Sequence, residues 1–369
     1  MSGSNFQESL SLRGISRREF LKFCSVMAGT LALDATMAPR IARALQAPGK
    51  PPVIWLEFQD CAGCTESFLR ASNPTAAEVV LDVLALNYHE TIMAAAGHQS
   101  EAAKEETIQA GGYILIVEGS IPTAEDGAYC TIGGRRARDI LEEAAANAAA
   151  IICVGSCACF GNIPAADPNP TSAVGVMDLI DDKPIVNLSG CPLNVVNLTA
   201  TVVHYLTFEK LPEADDLLRP LFAHGARIHD NCERRGHFDA GEFVQEWGDE
   251  GHRNGWCLYQ MGCKGPVAFY NCPQARWNDG TSWPVASGHG CIACAIPDFW
   301  DLAPKYEPIP IQQFTPPTTY PAVEEAEGGM TVAGAAVIGG VAGLAVGAAG
   351  AAAAAKLSQE EEQTEQSEE

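Results

Sequence analysis

Residues 53–64 read Val53-Ile54-Trp55-Leu56-Glu57-Phe58-Gln59-Asp60-Cys61-Ala62-Gly63-Cys64, a short apolar run that ends in a turn carrying two cysteines in C-x2-C spacing. Its β-branched and aromatic residues and its length predict a strand over Val53–Phe58. The same arrangement recurs three times. Tyr113–Val117 runs into Glu118-Gly119-Ser120, Ile151–Val154 into Gly155-Ser156-Cys157, and Pro184–Leu188 into Ser189-Gly190-Cys191-Pro192. Helix-like segments such as Ala76–Leu86 and Arg138–Ala149 lie between them. Strands alternating with helices predict an α/β fold, a flavodoxin-like parallel sheet with helices on both faces.

In such a sheet ligands gather beyond the carboxyl ends of the strands. Cys61, Cys64, Cys157 and Cys191 should therefore converge at one edge, with Glu118-Gly119-Ser120 beside them. Four thiolates from distant positions are what a cubane iron–sulfur cluster requires. The adjoining glycines let the backbone approach inorganic sulfur and turn amides toward it. Two further groups follow: His229-x2-Cys232 with Cys257-x5-Cys263, and Cys272 with Cys291-x2-Cys294. Fourteen cysteines could also be read as disulfides in an exported protein. The C-x2-C spacing, the Cys191-Pro192 and Cys272-Pro273 steps and the size of the chain favour metal. Several ligand sets in one chain point to electron movement.

The chain has 369 residues, enough for two domains and a core, and 47 % of them are hydrophobic, so most of it is globular. A net charge of −23 disfavours nucleic acid, whose phosphates it would repel. Part of that charge is a solvated C-terminal run, including Glu360, Glu361 and Glu362. After about Leu221, Gly, Trp, His, Asn and Pro become frequent and periodicity disappears. That region is expected to have little core of its own and to be organised by its metal.

Both ends carry targeting signals. Ser16-Arg17-Arg18-Glu19-Phe20-Leu21-Lys22, the apolar stretch from Phe23 to about Met37 and the small-x-small Ala42-Arg43-Ala44 read in order as a twin-arginine export signal with its cleavage site. That pathway carries folded proteins, which suits cofactors inserted in the cytoplasm. Met330–Ala355 holds no charged residue, and at 1.5 Å per residue it is long enough for the ~30 Å hydrocarbon core. Gly339, Gly343 and Gly347 form two G-x3-G steps that let another helix approach in lipid. The division expected is a signal peptide over 1–44, a sheet domain over 45–220, an iron–sulfur domain over 221–303, a Pro-rich linker over 304–329, a membrane anchor over 330–355 and an acidic, cytoplasmic tail over 356–369.

Several stretches together resemble the small subunit of nickel–iron hydrogenases. These are Asp60-Cys61-Ala62-Gly63-Cys64-Thr65-Glu66-Ser67, Gly155-Ser156-Cys157, Gly190-Cys191-Pro192, His229-x2-Cys232-Glu233-Arg234-Arg235, Gly255-Trp256-Cys257-Leu258-Tyr259, Gly262-Cys263-Lys264-Gly265-Pro266, Ser282-Trp283-Pro284-Val285 and Gly288-His289-Gly290-Cys291. The likeness spans roughly residues 50–303, and the export signal and anchor resemble the membrane-bound, hydrogen-uptake branch. The resemblance implies a proximal [4Fe-4S] cluster on Cys61, Cys64, Cys157 and Cys191. It implies a distal [4Fe-4S] cluster on His229, Cys232, Cys257 and Cys263, and a medial [3Fe-4S] cluster on Cys272, Cys291 and Cys294. Pro284 stands where a four-iron cluster would have its fourth cysteine.

By the same resemblance the chain pairs, as a heterodimer, with a large subunit holding the Ni–Fe centre where H2 is oxidised. Electrons pass to a membrane cytochrome b and quinone, and the complex sits on the periplasmic side of the inner membrane. The two extra cysteines of oxygen-tolerant members fall at Gly63 and Asn162, which implies an ordinary cubane and an oxygen-sensitive enzyme. The alternative is the iron–sulfur subunit of another quinone-linked complex, which shares the first half but leaves two ligand sets without a purpose. A zinc or disulfide scaffold is the non-redox rival. Cys24 lies in the signal, and Cys130, Cys153 and Cys159 read as buried thiols, Cys159 being two residues from Cys157. Asp60 and Glu66 are equally consistent with a place at the large-subunit interface near a proton path and with local backbone hydrogen bonding.

Overall fold

The computed structural model describes residues 16–310 except 48, 72–83, 279 and 303, all within one compact unit, Met1–Gln312. Its frame is a five-stranded sheet of β1 (Pro52–Glu57), β2 (Ala85–His89), β3 (Ile114–Glu118), β4 (Ala150–Val154) and β5 (Ile185–Leu188). The strand order is β2-β1-β3-β4-β5 and every pairing is parallel, the order of doubly wound sheets of flavodoxin type.

Alternation along the strands builds a core on each face. Ile54, Leu56, Leu115, Val117, Ile151 and Cys153 pack on one side against Ile140 and Leu141 of α5 (Ala137–Ala146). Trp55, Ile114, Ile116, Ile152, Val154 and Leu188 pack on the other against Phe68 of α3 (Gly63–Leu69) and Leu198 and Val202 of α7 (Val195–Phe208). Two other helices complete the frame, α4 (His98–Ala110) and α6 (Gly155–Phe160). Both faces are covered, as parallel strands with near-continuous apolar sequences require.

The four expected strands are present, and β2 is a fifth. The helix expected over Ala76–Leu86 does not hold at its end, where Ala85 and Leu86 are already strand; most of the segment lies outside the described residues. No Gly or Pro separates the apolar run from β2, so nothing local marks the change of period. The other expected helix ends at Ala146 rather than Ala149, since β4 starts at Ala150.

Between residues 220 and 310 the helices among the described residues are single turns of three to five residues. This region does have an apolar cluster, including Ile228, Val244, Leu258, Tyr270, Trp283 and Phe299, and Cys272 and Cys291 are embedded in it. At the N-terminus α1 (Arg17–Thr30) and α2 (Ala38–Leu45) pack against α7. Among the described residues no helix is long and apolar enough to cross a membrane, and the expected span 330–355 lies outside them.

Three candidate iron–sulfur sites

The first site forms where three strands end. β1 leads through Ala62, in the left-handed region at φ 55°, into α3, which presents Cys64 in its first turn. β4 leads into α6 with Cys157, and β5 leads to Cys191. Gly155, at φ 81°, is required by packing as well as by conformation, since a Cβ there would lie 2.4 Å from the Cys64 Sγ. Burial raises the Cys157 thiol to about 11, with Cys61 adding to the shift, and raises Cys191 to about 12, with Cys294, Cys157 and Cys61 adding. Each is thus close enough to feel the other sulfurs. The Leu193 amide donates to Cys64 Sγ at 3.3 Å.

Glu118, at the end of β3, holds this turn in place. Its carboxylate is 2 % exposed and accepts from the Cys64 amide (2.9 Å), the Thr65 amide (3.0 Å), the Thr65 hydroxyl (2.7 Å) and Trp55 Nε1 (3.3 Å). Burial raises Glu118 to about 7 against these hydrogen bonds, and the charges of Asp60 and Glu57 raise it further. Oxygens of Glu57, Asp60 and Glu118 lie within 4.8 Å of one another. The sequence placed Glu118 at this edge but gave no sign that it pins α3. Of the two flanking acids, Asp60 lies with Glu57 and Glu118, and Glu66 is exposed and paired with Arg70 at 2.6 Å.

The second site gathers His229, Cys232, Cys257 and Cys263 around one pocket, with Arg234 and Arg235 in its wall. Burial lowers His229 to about 4, with Arg235 adding to the effect, so its ring is neutral, the form that binds metal. Burial raises Cys232 to about 12 and Cys257 to about 11. The Arg234 amide reaches Cys232 Sγ at 3.4 Å, and Cys263 Sγ accepts from the Cys291 amide at 3.3 Å.

The third site combines Cys272, Cys291 and Cys294, whose thiols are all raised by burial; the charge of Cys294 adds at Cys272, and those of Cys263, Cys294 and Cys272 add at Cys291. The Ala293 amide donates to Cys291 Sγ at 3.3 Å. Pro284 is exposed between buried Trp283 and Val285. Cys153 and Cys159 lie in the apolar core, with Cys130 half-buried against it.

The three sites touch in a fixed order. The charge of Cys294, of the third, adds to the upward shift of Cys191, of the first, so the two groups lie side by side. Ser156, next to Cys157, donates its hydroxyl to the Cys294 carbonyl while accepting from the Gly190 amide at 2.8 Å. The third reaches the second through the Cys291 amide on Cys263 Sγ and the Lys264 amide on the Cys291 carbonyl at 2.6 Å. Buried thiols that converge, amides aimed at their sulfurs and a glycine cleared for one sulfur fit clusters rather than packing.

The chain matches two known families. One is the C-terminal part of the NiFe/NiFeSe hydrogenase small subunit, over residues 224–307, and the other is the 20 Kd subunit of NADH ubiquinone oxidoreductase, over residues 61–205. It is similar to the uptake hydrogenase small subunit of Azotobacter vinelandii, 47 % identical over 338 residues, covering 91 % of this chain and 92 % of that one. It is similar also to the quinone-reactive Ni/Fe-hydrogenase small chain of Wolinella succinogenes, 48 % identical over 305 residues, covering 81 % and 86 %. Among solved structures, the reduced, active Ni-Fe-Se hydrogenase of Desulfomicrobium baculatum aligns at a TM-score of 0.67 with 34 % identity, covering 71 % of this chain and 100 % of that chain.

Proposed function

The chain belongs to the small-subunit family of nickel–iron hydrogenases, and on that premise we propose that it is the electron-transfer subunit of a membrane-bound, quinone-linked uptake enzyme. The first site would hold a proximal [4Fe-4S] cluster, the third a medial [3Fe-4S] cluster and the second a distal [4Fe-4S] cluster. When bound, these clusters supply one-electron stations between the large subunit's Ni–Fe centre and a membrane cytochrome b. The observation that carries this reading is the contact of first site with third, through the Ser156 hydroxyl on the Cys294 carbonyl, and of third with second, through the Cys291 amide on Cys263 Sγ. Isolated structural metal sites have no need of such an order.

The chain's own residues serve three tasks. The cysteine thiols, all but the exposed Cys61 at least half-buried, and the neutral His229 would bind the metal, and the imidazole would leave that site one negative charge poorer than a fourth thiolate would. Backbone amides directed at the sulfurs hold the ligands and favour the reduced, more negative state. The apolar cluster around Cys272 and Cys291 excludes water from the middle of the path.

The rival iron–sulfur subunit of another quinone-linked complex finds support in the match of residues 61–205, but the match of residues 224–307 favours the hydrogenase. The proposal extends to the ends of the chain: a twin-arginine leader over 1–44 and an anchor over 330–355 that fixes the complex to the periplasmic side of the inner membrane. The test is anaerobic purification of the complex. About eleven irons per small chain, and an electron paramagnetic resonance signal of an oxidised three-iron centre lost in Cys294→Ser, are expected. A colourless preparation refutes the reading.

A further inference from the structure

The leader helices are docked. Ser16 caps α1, accepting from the Glu19 amide at 3.3 Å while Glu19 accepts from the Ser16 amide at 2.7 Å. From there α1 and α2 fold into a hairpin whose inner face is closed. Phe20, Met27, Ala28 and Ile41 are buried in one cluster with Ala200 and Val203 of α7. At its edge the Arg40 guanidinium sits 4.8 Å from the centre of the Phe208 ring, a cation–π contact between leader and body.

This seat leaves Arg18 exposed but hides the aromatic of the arginine motif and the first alanine of the expected cleavage site. Phe20, the aromatic of Arg17-Arg18-Glu19-Phe20-Leu21, is 8 % exposed, whereas Leu21 is 40 % exposed. Ala42, in the expected cleavage site Ala42-Arg43-Ala44, is 5 % exposed and lies inside α2. A receptor needs the side chain it recognises in the open, and a peptide bound as an added strand must be extended. A helical, buried segment satisfies neither need.

We propose that residues 17–45 dock on the α7 face of their own body, and that this docked leader is a closed state that must be displaced before the chain is recognised for export or cleaved. The occupant of the surface is the chain's own leader, and removal of the leader bares Ala200, Val203 and Phe208. The inference rests on the reading of residues 1–44 as an export signal.

The test uses the unprocessed full-length chain, purified anaerobically from cells blocked in export, and follows hydrogen exchange. Wild-type amides of residues 20–30 and 41–45 should exchange at least about tenfold more slowly than in Val203→Asp, given what burial of one valine is worth. Exchange in β1–β5 and the visible absorption should be unchanged. Phe208→Ala, at a half-buried position, is the milder variant and should loosen α2 without touching the sheet. Val203→Asp should also be cut at Ala44 faster by purified signal peptidase in detergent. Replacing Arg17 and Arg18 by lysine should abolish export while leaving the protection intact. Export that survives that replacement sinks the signal reading but not the docking. Leader amides that exchange equally fast in wild type and both body variants overturn the docking itself.

Discussion

Asn162 is a buried amide set just after the helix that carries Cys157. It is 3 % exposed, and among the described residues neither its Nδ2 nor its Oδ1 has a hydrogen-bond partner. A buried amide left so costs about 1–3 kcal/mol. It follows directly on α6, the helix that carries Cys157, and in the proposed reading its amide would donate to a sulfide of a cluster held there. Asn162→Ala should leave the fold intact and lower that cluster's midpoint potential by tens of millivolts, because a donor to sulfur favours the more negative, reduced form. A redox titration followed by electron paramagnetic resonance checks this. His229→Cys should act in the same direction at the distal site, where a thiolate restores the charge that the imidazole omits. Iron content should be kept, whereas His229→Ala should lose iron there.

Among the elements, α3 depends on a carboxylate supplied by another strand. Glu118→Ala removes the acceptor of two buried amides and a buried hydroxyl. It should cost about 1–3 kcal/mol in stability and deplete iron at the proximal site, read by thermal unfolding and metal analysis. The segment that leaves the body after residue 303 is held in a comparable way. Lys264, adjoining Cys263 and 3 % exposed, donates to the Pro304 carbonyl at 2.9 Å and to that of Glu307, and the Tyr259 hydroxyl donates to the Ile309 carbonyl at 2.6 Å. The path toward the proposed anchor thus begins against the distal site. Lys264→Met should make residues 304–310 sensitive to protease and slow quinone reduction severalfold, while H2-dependent reduction of a soluble dye is unchanged. Equal loss with both acceptors would show that the lysine serves only the cluster. Element by element, β1, β3, β4 and β5 were legible because each is an apolar run closed by Gly, Ser or Cys. β2 was not, because it continues an apolar run with no break.

Across the whole molecule, buried ionisable groups make stability depend on pH. Burial holds Glu90 up at about 7, aided by the charges of Glu57 and Asp60 and opposed by Lys104. The folded chain therefore keeps a proton that an unfolded carboxyl releases near ~4.3. The stability this confers is full below the unfolded value and falls as pH rises through about 7, then levels. His224, which burial lowers to about 4, contributes with the opposite sign, losing stability as pH falls below ~6.5. The readout is therefore the difference between wild type and Glu90→Gln. The variant should gain on wild type as pH rises from 5 to 7 in chemical denaturation, and parallel curves would show that Glu90 is not the source.

Local sequence determined the class of the sheet and grouped the candidate ligands, because strand length, turn chemistry and cysteine spacing are written within a few residues. The second half was legible only as ligand spacing, since its single-turn helices have no period to read. Tertiary structure alone decided that Gly155 clears room for Cys64, that Glu118 fixes α3 and that α1 and α2 cover α7. Each is a contact between residues far apart in the chain. An ordinary Gly, Glu or Val acquires such a role from what the fold brings against it, and neighbouring sequence carries no trace of that.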